Sequence, residues 1–230
     1  MSTPSSEAIA RTLDIRYEDS LVTGPTLEPL DLQEVKKQRR FSSTSLDTLF
    51  DLWMGAARQQ FEEETGLQLM TALRCFALDE PPVDGQIQLG RAPVQRIDRI
   101  VYDTAEGLEQ TMDPLSYRLA PPIMTAETYP KLGIVELLPS GAWPSVSGLT
   151  NAFRIYYWAG YGDAPGAVPS IIQYALMMFV GTAHRFSESV TAESRNSTVV
   201  EVPGFHNVVV EARGRTKRTI VPRRGWVGLP

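Results

Sequence analysis

Three glycines, Gly160, Gly162 and Gly166, stand between a run of strand character and a helical run in "YYWAGYGDAPGAVPSIIQYAL". At such a junction backbone N–H groups can close around a phosphate, so this G-x-G-x-x-x-G is the first candidate for chemistry. A dinucleotide loop, however, belongs to a parallel β-α-β unit with an acid about 20 residues on. Here the helix runs instead into the polar stretch "SESVTAESRNS". No Lys-Ser or Lys-Thr follows the glycines, which excludes a P-loop. Pro165 and Pro169 remove N–H donors that a cradle needs. The spacing predicts a turn that re-aims the chain from sheet to helix.

Other catalytic constellations are as thin. "LPSGAWPSVSG" sets serines beside glycines without a G-x-S-x-G elbow. The histidines, His184 and His206, lie far apart and form no H-x-x-x-H or H-E-x-x-H pattern. Cys75 is the single cysteine, which rules out internal disulfides and cysteine-rich zinc sites. Carboxylates abound, but nothing in the sequence pairs them for acid/base work. No catalytic residue, metal ligand or cofactor is expected. A β-rich binding module and an unrecognised hydrolase stand as alternatives to the reading developed below.

A chain of 230 residues with formal net charge −5 has room for one core, or for one core with a small satellite. The longest apolar run, from Tyr174 to Ala183, is broken by Gly181 and followed by His184 and Arg185, short of the roughly 20 residues that span a bilayer. It predicts a buried helix, and no membrane contact. The first residues lack a basic start and an apolar h-region, so a cytoplasmic origin is expected.

Residues 1–27 are rich in Ser, Thr, Pro and Glu and predict an extended arm, loose or laid along a neighbour. "LDLQEVKKQRRF" predicts a short helix with Lys36, Lys37, Arg39 and Arg40 at its C-terminal end, where the dipole favours cations. Leu46, Leu49, Phe50, Trp53, Ala57 and Phe61 recur at helical spacing, with Thr44 and Asp47 as a capping box and Gly66 as the stop. Glu62, Glu63 and Glu64 crowd the unfavourable end of that helix, as a solvated face or under a basic neighbour.

After Gly66 the period becomes two. "LQLMTALRCFALD", "GQIQLG", "VQRIDRIVYD", "LSYRLA", "GIVELLP" and "AFRIYYWAG" are short runs parted by Pro, Gly and Asp, and they predict an antiparallel sheet or sandwich. A third helix follows, with Pro169 in its first turn and Ile172, Ala175, Leu176, Phe179, Ala183 and Phe186 on one face. Met177 and Met178 widen its apolar surface, which is covered by the core or by another subunit. "TVVEVPGFHNVVVEA" then reads as a hairpin around Pro-Gly. The fold class is α+β. A helical core from residues 28–66 and 165–190 holds an inserted β domain of 67–164, and 191–230 supply a C-terminal hairpin and an extended basic tail.

In the tail, Arg213, Arg215, Lys217, Arg218, Arg223 and Arg224 are followed by no acid, and Ile220, Val221 and Trp226 sit among them. Without these cations the body is distinctly acidic. Apolar anchors among positive charges suit an acidic, grooved protein surface; phosphates of DNA are the rival target, distinguished by a steep fall of affinity with salt.

The order of "AARQQFEEETGLQL", "IQLGRAPVQRIDRIVYDTAEG", "DPLSYRL" and "FRIYYWAGYGDAPGAVPSIIQYALMMFVGTAHRFSES" resembles the head-to-tail connector (adaptor) proteins of tailed bacteriophages and gene transfer agents, over about Leu30 to Ser189. The resemblance implies a non-enzymatic virion protein of the neck, assembled in the host cytoplasm. It implies a ring, usually of twelve copies, under the portal protein, joined below to stopper or tail proteins, with genomic double-stranded DNA passing through unread. It also implies docking to the portal through the C-terminal segment. The longer N-terminal arm and the basic tail depart from the pattern. Rings need two unlike faces to meet, and Met177 and Met178, or Glu62 to Glu64 against Lys36, Lys37, Arg39 and Arg40 of a neighbour, are the candidates.

Overall fold

The computed structural model describes residues 17–82, 86–120, 130–139, 141–188 and 203–216. Asp31 opens helix α1 (Leu32–Gln38), its carboxylate accepting from the N–H groups of Gln33 at 2.8 Å and Glu34 at 3.1 Å. Helix α2 (Asp47–Thr65) buries Phe50, Met54, Ala57 and Phe61, and stops on Gly66 at φ 74, left-handed backbone that glycine adopts without strain. The capping box expected from Thr44 and Asp47 does not form. Leu46 takes the cap position without a side-chain bond, and the Asp47 carboxylate is drawn 2.6 Å from Lys36 Nζ. A buried ammonium needs a counter-charge more than an exposed helix end needs a cap.

Helix α3 (Ser170–Glu188) turns Ile172, Ala175, Leu176 and Val180 inward. Pro169 lies just before its first turn and offers its carbonyl to Ile172 and Gln173. The hairpin expected after it is corrected by helix α4 (Pro203–Thr216). Pro203 stands at the first helical position, where its missing N–H is no loss. Phe205, Val208, Val209 and Ala212 are buried, a spacing of three and four residues that belongs to a helix. Phe205 reaches Phe61 of α2 and Phe179 of α3, with ring centroids 5.9 and 5.2 Å away. The strand expected just upstream falls outside the described residues.

Each of the six alternating runs contains a strand: β2 (Ala72–Leu78), β3 (Gln86–Gln88), β4 (Val94–Asp103), β6 (Tyr117–Leu119), β7 (Ile134–Leu137) and β8 (Phe153–Ala159). Two more were not expected, β1 (Tyr17–Thr23) and β5 (Glu109–Thr111). All pairings between strands are antiparallel, in a five-stranded sheet ordered β1-β2-β8-β4-β5 and a three-stranded sheet ordered β3-β7-β6. The supposed loose arm is thus an edge strand over Tyr17–Thr23; the residues before it lie outside those described.

Two apolar clusters result. One gathers Phe50, Phe61, Ile172, Leu176, Phe205 and Val209 between the helices. The other lies between the sheets, with Phe76, Ile100, Phe153 and Ile155 against Ile87, Tyr117 and Val135. On the outer side Arg154 of β8 clamps Asp103 of β4 through two bonds of 2.7 and 2.8 Å and also reaches Glu109 of β5 at 2.8 Å. Its hydrogen bonds hold the Asp103 carboxyl below the ordinary range. A depressed carboxyl contributes stability that is present above its unfolded value and is lost as pH falls through the folded one. Replacing Arg154 with Met is therefore expected to return Asp103 to ordinary titration, read by carboxyl NMR, and to remove that part of the acid sensitivity.

Candidate functional site

The glycine turn is settled by where its N–H groups go. Those of Gly160 and Tyr161 donate to the carbonyls of Pro93 and Leu69 at 2.9 and 3.1 Å. Those of Ala167 and Val168 close a short turn onto Ala164 and Pro165. The Gly162 carbonyl accepts from Thr71 N–H at 3.1 Å. A phosphate cradle needs free donors, and here Gly160 N–H ties the end of β8 to the residue before β4, while Tyr161 N–H ties it to the segment entering β2. Gly160 has φ 134, and a Cβ there would lie 2.6 Å from the backbone of Met70 and Thr71. Glycine is present because two backbones touch.

No group of three His, Cys, Asp or Glu side chains among the described residues is placed to hold a metal ion. A cleft of about 510 Å³ is lined by Pro81, Pro82, Trp143 and Pro144, with Glu80 its one ionisable side chain. A lone carboxylate gives no acid/base pair. No helix among the described residues is long and apolar enough to cross a membrane.

The polar residues that the fold does gather form a buried chain. Arg58 of α2 holds Glu28 through two bonds of 2.8 and 3.1 Å and Glu62 at 3.0 Å. Glu62 accepts from Gln68 Nε2 and Leu69 N–H, both at 2.9 Å, and its backbone carbonyl accepts from Arg91. Gln68 in turn accepts from Arg74 of β2 at 3.1 Å, and Arg74 donates to Asp19 of β1 at 2.5 Å. Asp19 also accepts from Tyr157 of β8. Burial pushes the Glu62 carboxyl up, and Arg58 pulls it partly back. Burial likewise pushes the Tyr157 phenol far up, with the Asp19 charge adding to it. These groups stitch the helical layer to the large sheet, with every link satisfied.

The charged candidates are therefore divided between two uses. Lys36 is buried on Asp47, and Glu62 is buried on Arg58. Lys37 and Arg40 are exposed. Arg39, half-buried, lays its guanidinium over Gly181 of α3, and burial and then the neighbouring Arg185 charge lower its pKa. Glu63 touches Arg91 at 3.2 Å yet stays largely in solvent, and Glu64 is exposed and accepts from Gln60 at 2.9 Å. Met177 and Met178 are half-buried on α3, Met177 packing against the helical cluster. Arg213 is exposed on α4 and Arg215 belongs to its last turn. Lys217, Arg218, Ile220, Val221, Arg223, Arg224 and Trp226 lie outside the described residues.

One surface escaped the sequence reading. On the outer face of the large sheet Arg96 lies over Trp158, 4.9 Å from the ring, and Arg99 over Tyr156 at 4.1 Å, with Asp98 between them. The cross-strand register places Arg96 beside Trp158 and Arg99 beside Tyr156. Cation–π contacts of this kind add about 0.5–1 kcal/mol at exposed sites.

No family model and no curated protein matches the sequence. Solved structures do match the fold. A chain from the neck of an empty gene transfer agent particle, computed with C6 symmetry, has a TM-score of 0.65 at 18% identity, over 90% of this chain and 99% of that one. A chain from the virion of a native gene transfer agent particle has 0.65 at 19%, over 88% and 97%. A chain from the neck of a native particle, computed with C12 symmetry, has 0.63 at 18%, over 90% and 99%. Over about nine-tenths of its length, this chain has the fold of chains found in gene transfer agent particles and their necks.

Proposed function

We propose that this protein is a structural head-to-tail adaptor of a virion neck, a ring of twelve copies that continues the DNA channel beneath the portal protein and joins it to a stopper or tail protein. The observation that carries the reading is the span of the likeness, which takes in 97–99% of the compared chains. A shared local motif would not extend so far. The C6 and C12 symmetries with which related necks were computed support twelve copies. The Asp47 and Glu62 carboxylates held in internal ion pairs, and the N–H groups of Gly160, Tyr161, Ala167 and Val168 spent on backbone carbonyls, favour a structural over a catalytic role.

The basic tail is the portal-docking segment. Its apolar residues Ile220, Val221 and Trp226, set among cations, suit an acidic, grooved protein surface. Twelve tails acting from one ring convert weak contacts into durable attachment. Arg213, exposed on α4, and Arg215, in the last turn of that helix, belong to the same docking segment. Genomic double-stranded DNA slides past a net-acidic body.

Deleting residues 217–230, which leaves α4 whole, is expected to give DNA-filled heads that fail to join tails, scored by electron microscopy and by particle mass. Tail joining at the unmodified level would remove the docking role. Absence of a multi-copy ring of this chain from purified particles would remove the adaptor reading altogether.

A further inference from the structure

A ring closes only if two different faces of one copy meet. We propose that these are the solvent faces of α3 and α2, packed in parallel between neighbouring copies. The inference rests on the ring reading and adds which surfaces meet, and in which register.

Helix α3 buries Ile172, Ala175, Leu176 and Val180, yet leaves Ile171 44% and Tyr174 52% exposed on its opposite side. Met178 continues that seam one turn on, half-exposed. Helix α2 repeats the arrangement, with Leu49 40% and Leu52 64% exposed and Ala56 next in line. Large apolar side chains aligned on the outer side of a helix form a surface that association removes from water. Steps of three and then four residues are the spacing at which two helices interlock at a shallow angle.

The two seams match step for step. When Leu49 is set beside Ile171, Leu52 falls beside Tyr174 and Ala56 beside Met178. The same register carries Glu63, near the end of α2, to Arg185, in the last turn of α3. The Glu63 side chain is 76% exposed despite its contact with Arg91. Arg185 is exposed beside Arg39, a like charge, and neither makes an ion pair among the described residues. A carboxylate arriving from the next copy relieves that repulsion. The antiparallel alternative, with Ile171 beside Ala56 and Met178 beside Leu49, carries Arg185 past the start of α2 at Asp47, a carboxylate that already holds Lys36. Inside each copy α2 and α3 contribute to one cluster through their other faces. The proposed contact therefore links successive copies through one continuous belt of helices.

The test uses the full-length chain in assembled necks, carrying Leu52→Cys together with Tyr174→Cys, with each single variant as control. Both seams face away from the core the two helices share, so a bond between them joins different copies. The expected result on mild oxidation is a ladder of covalent multimers in the double variant that neither single variant gives. In parallel, Arg185→Glu and Glu63→Arg are each expected to lower the fraction of chain recovered as rings, and the combined swap to restore it. A ring of normal mass with no ladder and no response to charge reversal overturns this interface while leaving the ring standing. Cross-linking of either single variant to another neck protein overturns it equally, by naming a different occupant. Particles with no ring of this chain overturn the adaptor reading itself.

Discussion

Truncating Arg58 to Ala is expected to lower the free energy of unfolding by about 3–5 kcal/mol, the cost of stranding a buried charge. Its partner Glu62 sits in the same enclosed space, both side chains 10% exposed. Without the guanidinium, the carboxylate keeps one amide and one N–H donor but loses the charge that offsets its desolvation. Glu28, three times as open at 30%, rehydrates more readily, so Glu28→Gln should cost much less. Urea titrations of the two variants at neutral pH make the comparison.

The pH dependence of the Arg58→Ala variant supplies a second check on the same cause. Glu62 already has its carboxyl raised by burial, and removing Arg58 raises it further. A group whose folded pKa lies above its unfolded value takes up its proton first in the folded state. Stability is then recovered as pH falls through the folded pKa toward the unfolded one, and the deficit is greatest above it. The variant should therefore approach the parent protein in mildly acidic buffer. A deficit constant with pH would mean that lost packing, and not a stranded charge, is responsible.

Replacing Gly160 with Ala is expected to be as damaging, by at least about 3 kcal/mol, although it adds one methyl group. Two costs combine. The backbone at φ 134 is open to glycine and strained for any other residue, and the added carbon meets backbone atoms of Met70 and Thr71 that no rotamer change can move. Thermal unfolding should show the loss with or without phosphate or nucleotide present. Ala at Gly166, where a Cβ meets nothing, is the control and should be nearly neutral. A cluster that cradled a ligand would show the reverse dependence, with both variants sensitive to that ligand.

Much of the architecture was legible in the order of residue types. Helices α2 and α3 and six strands follow from periodicity, because each such segment must turn one face to water and one to the core over several consecutive turns or pleats. The segment at α4 defeated that reading. Its run of valines is compatible with either period, and the outcome was decided by a groove that offers Phe61 and Phe179 to Phe205. Strand β1 shows no alternation, being exposed on nearly every residue. It is held by partners far along the chain, Arg74 and Tyr157 on Asp19. The imperfect alternation of β4 has its cause in register shifts near Arg96 and Arg99, which move successive side chains off a strict two-residue repeat.

The candidate surfaces divide in the same way. Which residues carry charge, and that the chain lacks cysteine-rich and paired-histidine chemistry, was determined by the sequence alone. Whether Glu62 and Lys36 are offered to a partner or used up inside was decided only when the fold brought Arg58, Gln68 and Asp47 to them. Local patterns record which side of an element meets water, because neighbours in the chain share that environment. Ion pairs, edge strands and the glycine contact join residues remote in sequence, and their energies exist only once tertiary packing has removed the water between them.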